Sequence, residues 1–200
     1  ENSELASSGL PSGKELELLS SYIDVLPKEV FSSIYNPPQT DGSGFMRKEL
    51  QKATSLLQSA GWQLVNGSLV NKNSLKKFEF EILLVSPAFE RIVLPFKDNL
   101  QKLGIDVNIR TIDSAQYQNR LDTLDFDMIV STFSQSLSPG NEQRNFWGSD
   151  AAETNGSRNI IGISDTVVDL LIEKIISSKS REDLIYSTRA LDRVLLWGHY

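Results

Sequence analysis

The stretch Phe89-Glu-Arg-Ile-Val-Leu-Pro-Phe-Lys-Asp-Asn-Leu-Gln-Lys-Leu-Gly-Ile-Asp-Val-Asn-Ile-Arg-Thr-Ile112 decides the fold. Phe89, Ile92, Val93, Phe96, Leu100 and Leu103 recur at helical spacing, which predicts a helix with one apolar face. Gly104 follows where a helix ends in a left-handed residue that carries no Cβ to clash. Ile105, Val107, Ile109 and Thr111 then alternate with Asp106, Asn108 and Arg110, the period of a strand with one buried face. A second strand is expected before the helix, over 77–85. A third is expected over 126–133, after a short helix starting near Asp113. Strand, helix, strand, helix, strand predicts an α/β fold: a parallel or mixed sheet flanked by helices, joined by right-handed crossovers. In such sheets ligands sit beyond the carboxyl ends of the strands, so function is expected at 85–88, 112–114 and 133–141.

Outward from this unit, residues 1–44 are rich in Ser, Gly, Pro, Asn and Asp, with short helices expected over 13–19 and 27–32. Asn36-Pro-Pro-Gln-Thr-Asp-Gly-Ser-Gly44 can form neither a long helix nor a central strand. The first 44 residues are therefore expected to be an extended leader draped over a single lobe, 45–200. A helix beginning at Phe45 or Arg47 and ending at Ser59 should present Leu50, Ala53, Leu56 and Leu57 on one face. Asn66-Gly67 between 62–65 and 68–71 predicts a type I′ hairpin, since both turn positions need positive φ. Ser86-Pro87, Asp113 with Gln116, and Ser180 with Asp183 read as helix starts. Two amphipathic helices, over 165–178 and 181–198, close the chain. Its bounds, Glu1-Asn-Ser-Glu4 and Trp197-Gly-His-Tyr200, are read as cuts from a longer protein.

Composition narrows the function. A net charge of −6 with scattered acidic residues disfavours nucleic acid and anionic membrane surfaces as partners. Cysteine is absent, which removes disulfides and thiolate metal sites, and no run reaches the ~18 apolar residues of a membrane helix. His199 is the single histidine, which removes a two-His metal site and leaves a hydrolase built from Ser86, Asp113 and Ser136 without its base. No cofactor motif is present, and none is expected. Lys72, Lys76 and Lys77 read as a solvated turn. Asp122, Asp125 and Asp127 lie at the amino end of the third strand, away from the expected site. Ser131 to Trp147 is different: many small hydrogen-bonding side chains stand between aromatic ends. This composition fits a polar, chain-like ligand bound beside apolar walls, and equally an ordered connection closed on its own side chains. Phe146 and Trp147 read as either a lid or core.

Five segments carry a resemblance to a known family: 3–13, Pro87-Ala-Phe-Glu-Arg-Ile-Val-Leu-Pro95, Asp113-Ser-Ala-Gln-Tyr-Gln-Asn-Arg-Leu121, Gln135-Ser-Leu-Ser-Pro-Gly-Asn-Glu-Gln-Arg144, and Ala190-Leu-Asp-Arg-Val-Leu-Leu-Trp-Gly-His-Tyr200. Over essentially its whole length the chain resembles the extracellular solute-binding proteins of peptide-type ABC transporters, in the oligopeptide and microcin C-like subgroup. The resemblance implies most of the C-terminal lobe of a two-lobed periplasmic-binding-protein fold. It implies a periplasmic protein that encloses an oligopeptide or modified peptide between this lobe and the first lobe of the parent, then delivers it to an inner-membrane ABC permease. It also implies a Trp and, three residues on, an Asp after the third strand, the Asp holding the peptide ammonium group. Phe133 and Ser136 stand at those positions, and a hydroxyl cannot neutralise an ammonium group as a carboxylate does. The ligand-facing residues are expected to be Phe133, Ser134, Gln135, Ser136, Leu137, Ser138 and Asn141 at the sheet's carboxyl edge. Arg144, Arg158 and Asn159 are expected to meet a ligand carboxylate or backbone. A non-transport peptide-interaction module is the alternative.

Overall fold

The computed structural model describes residues 3–200. In chain order the elements are α1 (Gly13–Ser20), α2 (Glu29–Ser32), α3 (Arg47–Ser59), β1 (Trp62–Val65), β2 (Ser68–Asn71), β3 (Glu79–Leu84), α4 (Glu90–Gln101), β4 (Asp106–Thr111), α5 (Ser114–Asp122), β5 (Met128–Ile129), α6 (Glu142–Trp147), α7 (Ser149–Ala152), α8 (Thr166–Ile176) and α9 (Arg181–Gly198). They form two compact units. Pro38–Thr132 makes one; the other joins the stretch ending at Pro37 to Phe133–Tyr200. The division expected at residue 44 does not coincide with either boundary.

In the unit Pro38–Thr132, β3 lies between β4 and β5 and pairs with both in parallel. Ile82, Leu83 and Leu84 are almost wholly buried in succession, as in a central strand covered on both faces. Ile82 and Leu84 meet Val93 of α4, together with Ile105 and Val107, in one core cluster. The expected helix starts hold: Ser86 Oγ accepts from the Ala88 amide, and Asp113 accepts from the amides of Ala115 and Gln116. The hairpin β1–β2 turns at Asn66 (φ 50°) and Gly67 (φ 83°). It is tied to the end of α4 where the Leu69 amide donates to the Gly104 carbonyl at 2.7 Å. Trp62 stacks on Phe78 with ring centroids 4.6 Å apart.

Two expectations change here. The third strand, expected over 126–133, is reduced to Met128–Ile129. Leu124 turns the chain at φ 54°, and the Asp127 carboxylate, not a backbone carbonyl, accepts from the Glu81 amide at 2.9 Å. A side chain thus replaces a ladder bond at the strand's start, and past Ile129 no pairing continues. The apolar face of α3 is also less buried than its pattern implies: Leu57 reaches the core, but Leu56 is 62% exposed.

The other unit is helical. α8 supplies Val168, Leu171, Ile172 and Ile175 to a core completed by Ala190, Leu191 and Val194 of α9. Leu19 of α1 and Val30 of α2, both 0% exposed, belong to the same core. The early residues therefore do more than drape; they fill it. Arg193 on α9, 1% exposed, donates to Glu15 of α1 at 2.7 Å and to the carbonyls of Gly9 and Ser8. Ser7 and Glu4 are held by Asp192 and Arg189 in the same way.

Arg193→Ala should strand the buried Glu15 carboxylate and destabilise the helical unit by about 3 kcal/mol in urea unfolding. A loss below about 1 kcal/mol, the range of an exposed pair, would show that Glu15 is rehydrated at little cost. A Cβ on Gly104 (φ 82°) would lie 2.5 Å from Leu64 Cδ1 and 2.8 Å from the Leu69 amide nitrogen. Gly104→Ala combines a left-handed backbone with that collision, so it should cost at least about 2 kcal/mol. A neutral effect would mean that the hairpin moves away freely.

Candidate functional site

Residues 133–141 form no regular element, and their order comes from α6 and α9. The Phe133 ring sits 4.9 Å from Trp147 and 6.2 Å from Phe146, centroid to centroid. Phe146 is buried and Trp147 half-buried, so of the two readings of this pair core prevails for Phe146, while Trp147 also faces a cavity. Gln143, 3% exposed, organises the loop: its Nε2 donates to Gln135 Oε1 at 2.7 Å, and its Oε1 accepts from Trp147 Nε1 at 3.0 Å. Glu142 accepts from the Gly140 amide, and Ser136 Oγ from the Ser138 amide. At the far side Arg181 Nη1 donates to the Leu137 carbonyl at 2.6 Å and also bonds Glu4.

These contacts frame a cavity of about 400 Å³. It is lined by Gln135, Ser136 and Leu137 of the loop, by the apolar Trp147, Leu191 and Leu195, and by Ser3, Leu5 and Ala6 of the early stretch. Ser134, Gln135, Ser136, Leu137 and Ser138 are exposed, Leu137 at 67%.

The remaining expected residues do not converge on this cavity. Asn141 Oδ1 accepts from Arg144 Nη1, while Arg144 Nε and Nη2 each donate to a Glu173 oxygen at 2.7 Å. That bidentate pair occupies the fork that was expected to meet a ligand carboxylate, and its hydrogen bonds hold the Glu173 carboxyl below the ordinary carboxylate range. Arg158 lies over the Phe146 ring, 5.4 Å from its centroid. Asn159 is a correction. It is 0% exposed, its Nδ2 donates to the Gly148 and Ile163 carbonyls, and its Oδ1 accepts from the Ile163 amide. Nothing of its side chain is left for a ligand; it closes the connection between α7 and α8. His199 lies at the end of α9 beside the Tyr35 and Trp197 rings, as an ordinary helix-end histidine would.

Gln143 and Asp192, both central to the cavity, were not singled out by sequence reasoning. Their signal was position: Gln143 lies one turn before Trp147, and Asp192 is on the face of α9 that carries Leu191 and Leu195.

The sequence pattern of the middle region of the bacterial extracellular solute-binding proteins, family 5, matches residues 23–155. The chain belongs to this family. It is 50% identical over 197 residues to the uncharacterised protein y4wM of Sinorhizobium fredii, covering 98% of the chain and 30% of that protein. It is 43% identical over 198 residues to the probable peptide-binding protein YejA of Agrobacterium fabrum, covering 99% of the chain and 32% of that protein. The chain thus spans about a third of these family members. Among solved structures, the oligopeptide-binding protein AppA of Bacillus subtilis, in complex with a nonapeptide, superposes with a TM-score of 0.65 at 19% identity, over 93% of this chain and 38% of AppA. The α/β arrangement is therefore that of the family's periplasmic-binding-protein fold.

Asn159→Ala should remove three hydrogen bonds from a buried turn and leave the Ile163 amide and two carbonyls unsatisfied, a loss of about 2–4 kcal/mol. Ligand affinity of the folded variant should be unchanged. Weaker binding at unchanged stability would return Asn159 to the site.

Proposed function

We propose that the protein carrying this chain is the substrate-binding component of an ABC importer. It binds an oligopeptide or modified peptide between two lobes in the periplasm and delivers it to an inner-membrane permease. The observation that carries the reading is the cavity flanked by 135–137. Exposed serine and glutamine groups with unpaired hydrogen-bonding capacity stand beside an apolar wall, which suits a peptide's alternation of polar backbone and side chain. Family membership and the relative named as peptide-binding support the same ligand class. Neither histidine nor lysine lines the cavity to activate a nucleophile, so binding without turnover is the favoured chemistry. Within this reading Phe133 acts through Trp147, shaping the wall, and Gln135, Ser136 and Leu137 meet the ligand directly. Ser134 and Ser138 flank them on the same exposed loop. Arg144 and Asn141 brace α6 against α8.

Full-length protein purified from periplasm and then denatured should release intact peptides or peptide conjugates, detected by mass spectrometry. Cargo without any peptide bond, or peptides found only as cleavage products, would overturn this reading.

A further inference from the structure

The cavity beside 135–137 is lined by one carboxylate and by no basic residue. Asp192 is the only charged residue among those lining it. Thr188, Leu191, Asp192 and Leu195 fall at i, i+3, i+4 and i+7 of α9 and so share one face of that helix. Asp192 Oδ2 accepts from the Ser7 amide at 2.8 Å and from Ser7 Oγ at 2.7 Å; among the described residues Oδ1 has no hydrogen-bond donor. Among the described residues neither arginine beside it in sequence forms an ion pair with it. Arg193 is spent on Glu15 and two carbonyls, and Arg189 donates to the Glu4 carbonyl.

We propose that Asp192 is the anchor for a primary ammonium group of the ligand, with Oδ1 accepting its N–H bonds while Leu5, Leu191, Leu195 and Trp147 enclose the adjoining carbon chain. A half-buried carboxylate in a cavity without a basic partner favours a cation, and apolar walls favour one bearing a short aliphatic stem over a hydrated metal ion. The Ser7 clamp fixes the carboxylate's rotamer through Oδ2, so a ligand meets an oriented acceptor. The inference rests on the importer reading above and gives it a ligand chemistry: the amino terminus of a peptide, or an alkylamine appended to one.

The test titrates n-butylammonium chloride into the methyl-labelled protein, with 1-butanol as the neutral probe of similar size. Butylammonium should give saturable shifts at the Leu191 and Leu195 methyls that weaken with added sodium chloride, whereas 1-butanol should show no such salt dependence. Asp192→Asn, whose carbonyl can still accept from Ser7, should weaken butylammonium binding at least about fivefold and leave 1-butanol unchanged. Ser7→Ala, which keeps the carboxylate, should stay within about twofold of the parent, since only the preorganising clamp is lost. The proposal is overturned if shifts at those methyls are absent or insensitive to salt, if Asp192→Asn binds the amine as the parent does, or if Ser7→Ala loses as much as Asp192→Asn. Peptide released from full-length protein without amine binding here would leave the importer reading standing and remove only Asp192 from it.

Discussion

The buried pair between Arg193 and Glu15 is the constraint on which the helical unit depends. Its members stand 178 positions apart in sequence, and both are almost fully withdrawn from water. Two charges in such a place are tolerable only if hydrogen bonds replace those lost to water, and the guanidinium also donates from Nη1 to the Gly9 carbonyl and from Nη2 to the Ser8 carbonyl. Those carbonyls belong to a stretch with no secondary structure to satisfy them. The same arginine therefore neutralises α1 and orders the chain leading into it. Arg181, Arg189 and Asp192 extend the clamp along α9, so one helix fixes residues 4 to 15.

That arrangement ties the early residues to the cavity. Arg181 bonds Glu4 and the Leu137 carbonyl, so the strap and the rim of the cavity share a donor. Gln143 does the corresponding work from α6, linking Gln135 to Trp147. The loop 133–141 thus owes its shape to side chains presented by helices at its two ends. Within it Ser136 Oγ accepts from the Ser138 amide and Glu142 from the Gly140 amide, so the loop is braced from inside as well as from its ends.

The elements were legible in the sequence where local chemistry decides them. Gly104, Asn66-Gly67 and the caps at Ser86, Asp113 and Ser180 each impose a backbone geometry within a few residues, and each recurs in the structure. What the periodicities did not reveal depends on distant partners. The division into units cuts the chain at 37 and 132, inside the breaker stretch 36–44 and at the start of the polar segment 131–147, but composition does not tell that residues before the first cut pack with those after the second. At the start of the shortened third strand Asp127, placed by the sequence at the strand's amino end, accepts from the amide of Glu81, 46 positions earlier, in place of a ladder carbonyl. Residues 1–44 read as a leader because Ser, Gly and Pro dominate them, although Leu19 and Val30 are as buried as any residue in the chain. A few well-spaced apolar residues can complete a core whose larger part lies elsewhere in sequence.

The site divided along the same line. That 135–137 lie beside a cavity agrees with a reading of hydroxyls and amides between aromatic residues, while Phe133 packs on Trp147 and Phe146 instead. Arg144 and Asn159 had the right chemistry for ligand binding, but chemistry does not reveal prior engagement. A guanidinium facing Glu173 and a carboxamide bridging Gly148 and Ile163 are indistinguishable in sequence from free ones. The converse holds for Asp192. On an amphipathic helix a lone carboxylate between Leu191 and the buried Arg193 reads as a boundary residue, and only the fold shows that one of its oxygens is clamped by Ser7 and that the residue lines a cavity. Availability for binding is set by which partners the fold has already supplied, and that cannot be read from residue type alone.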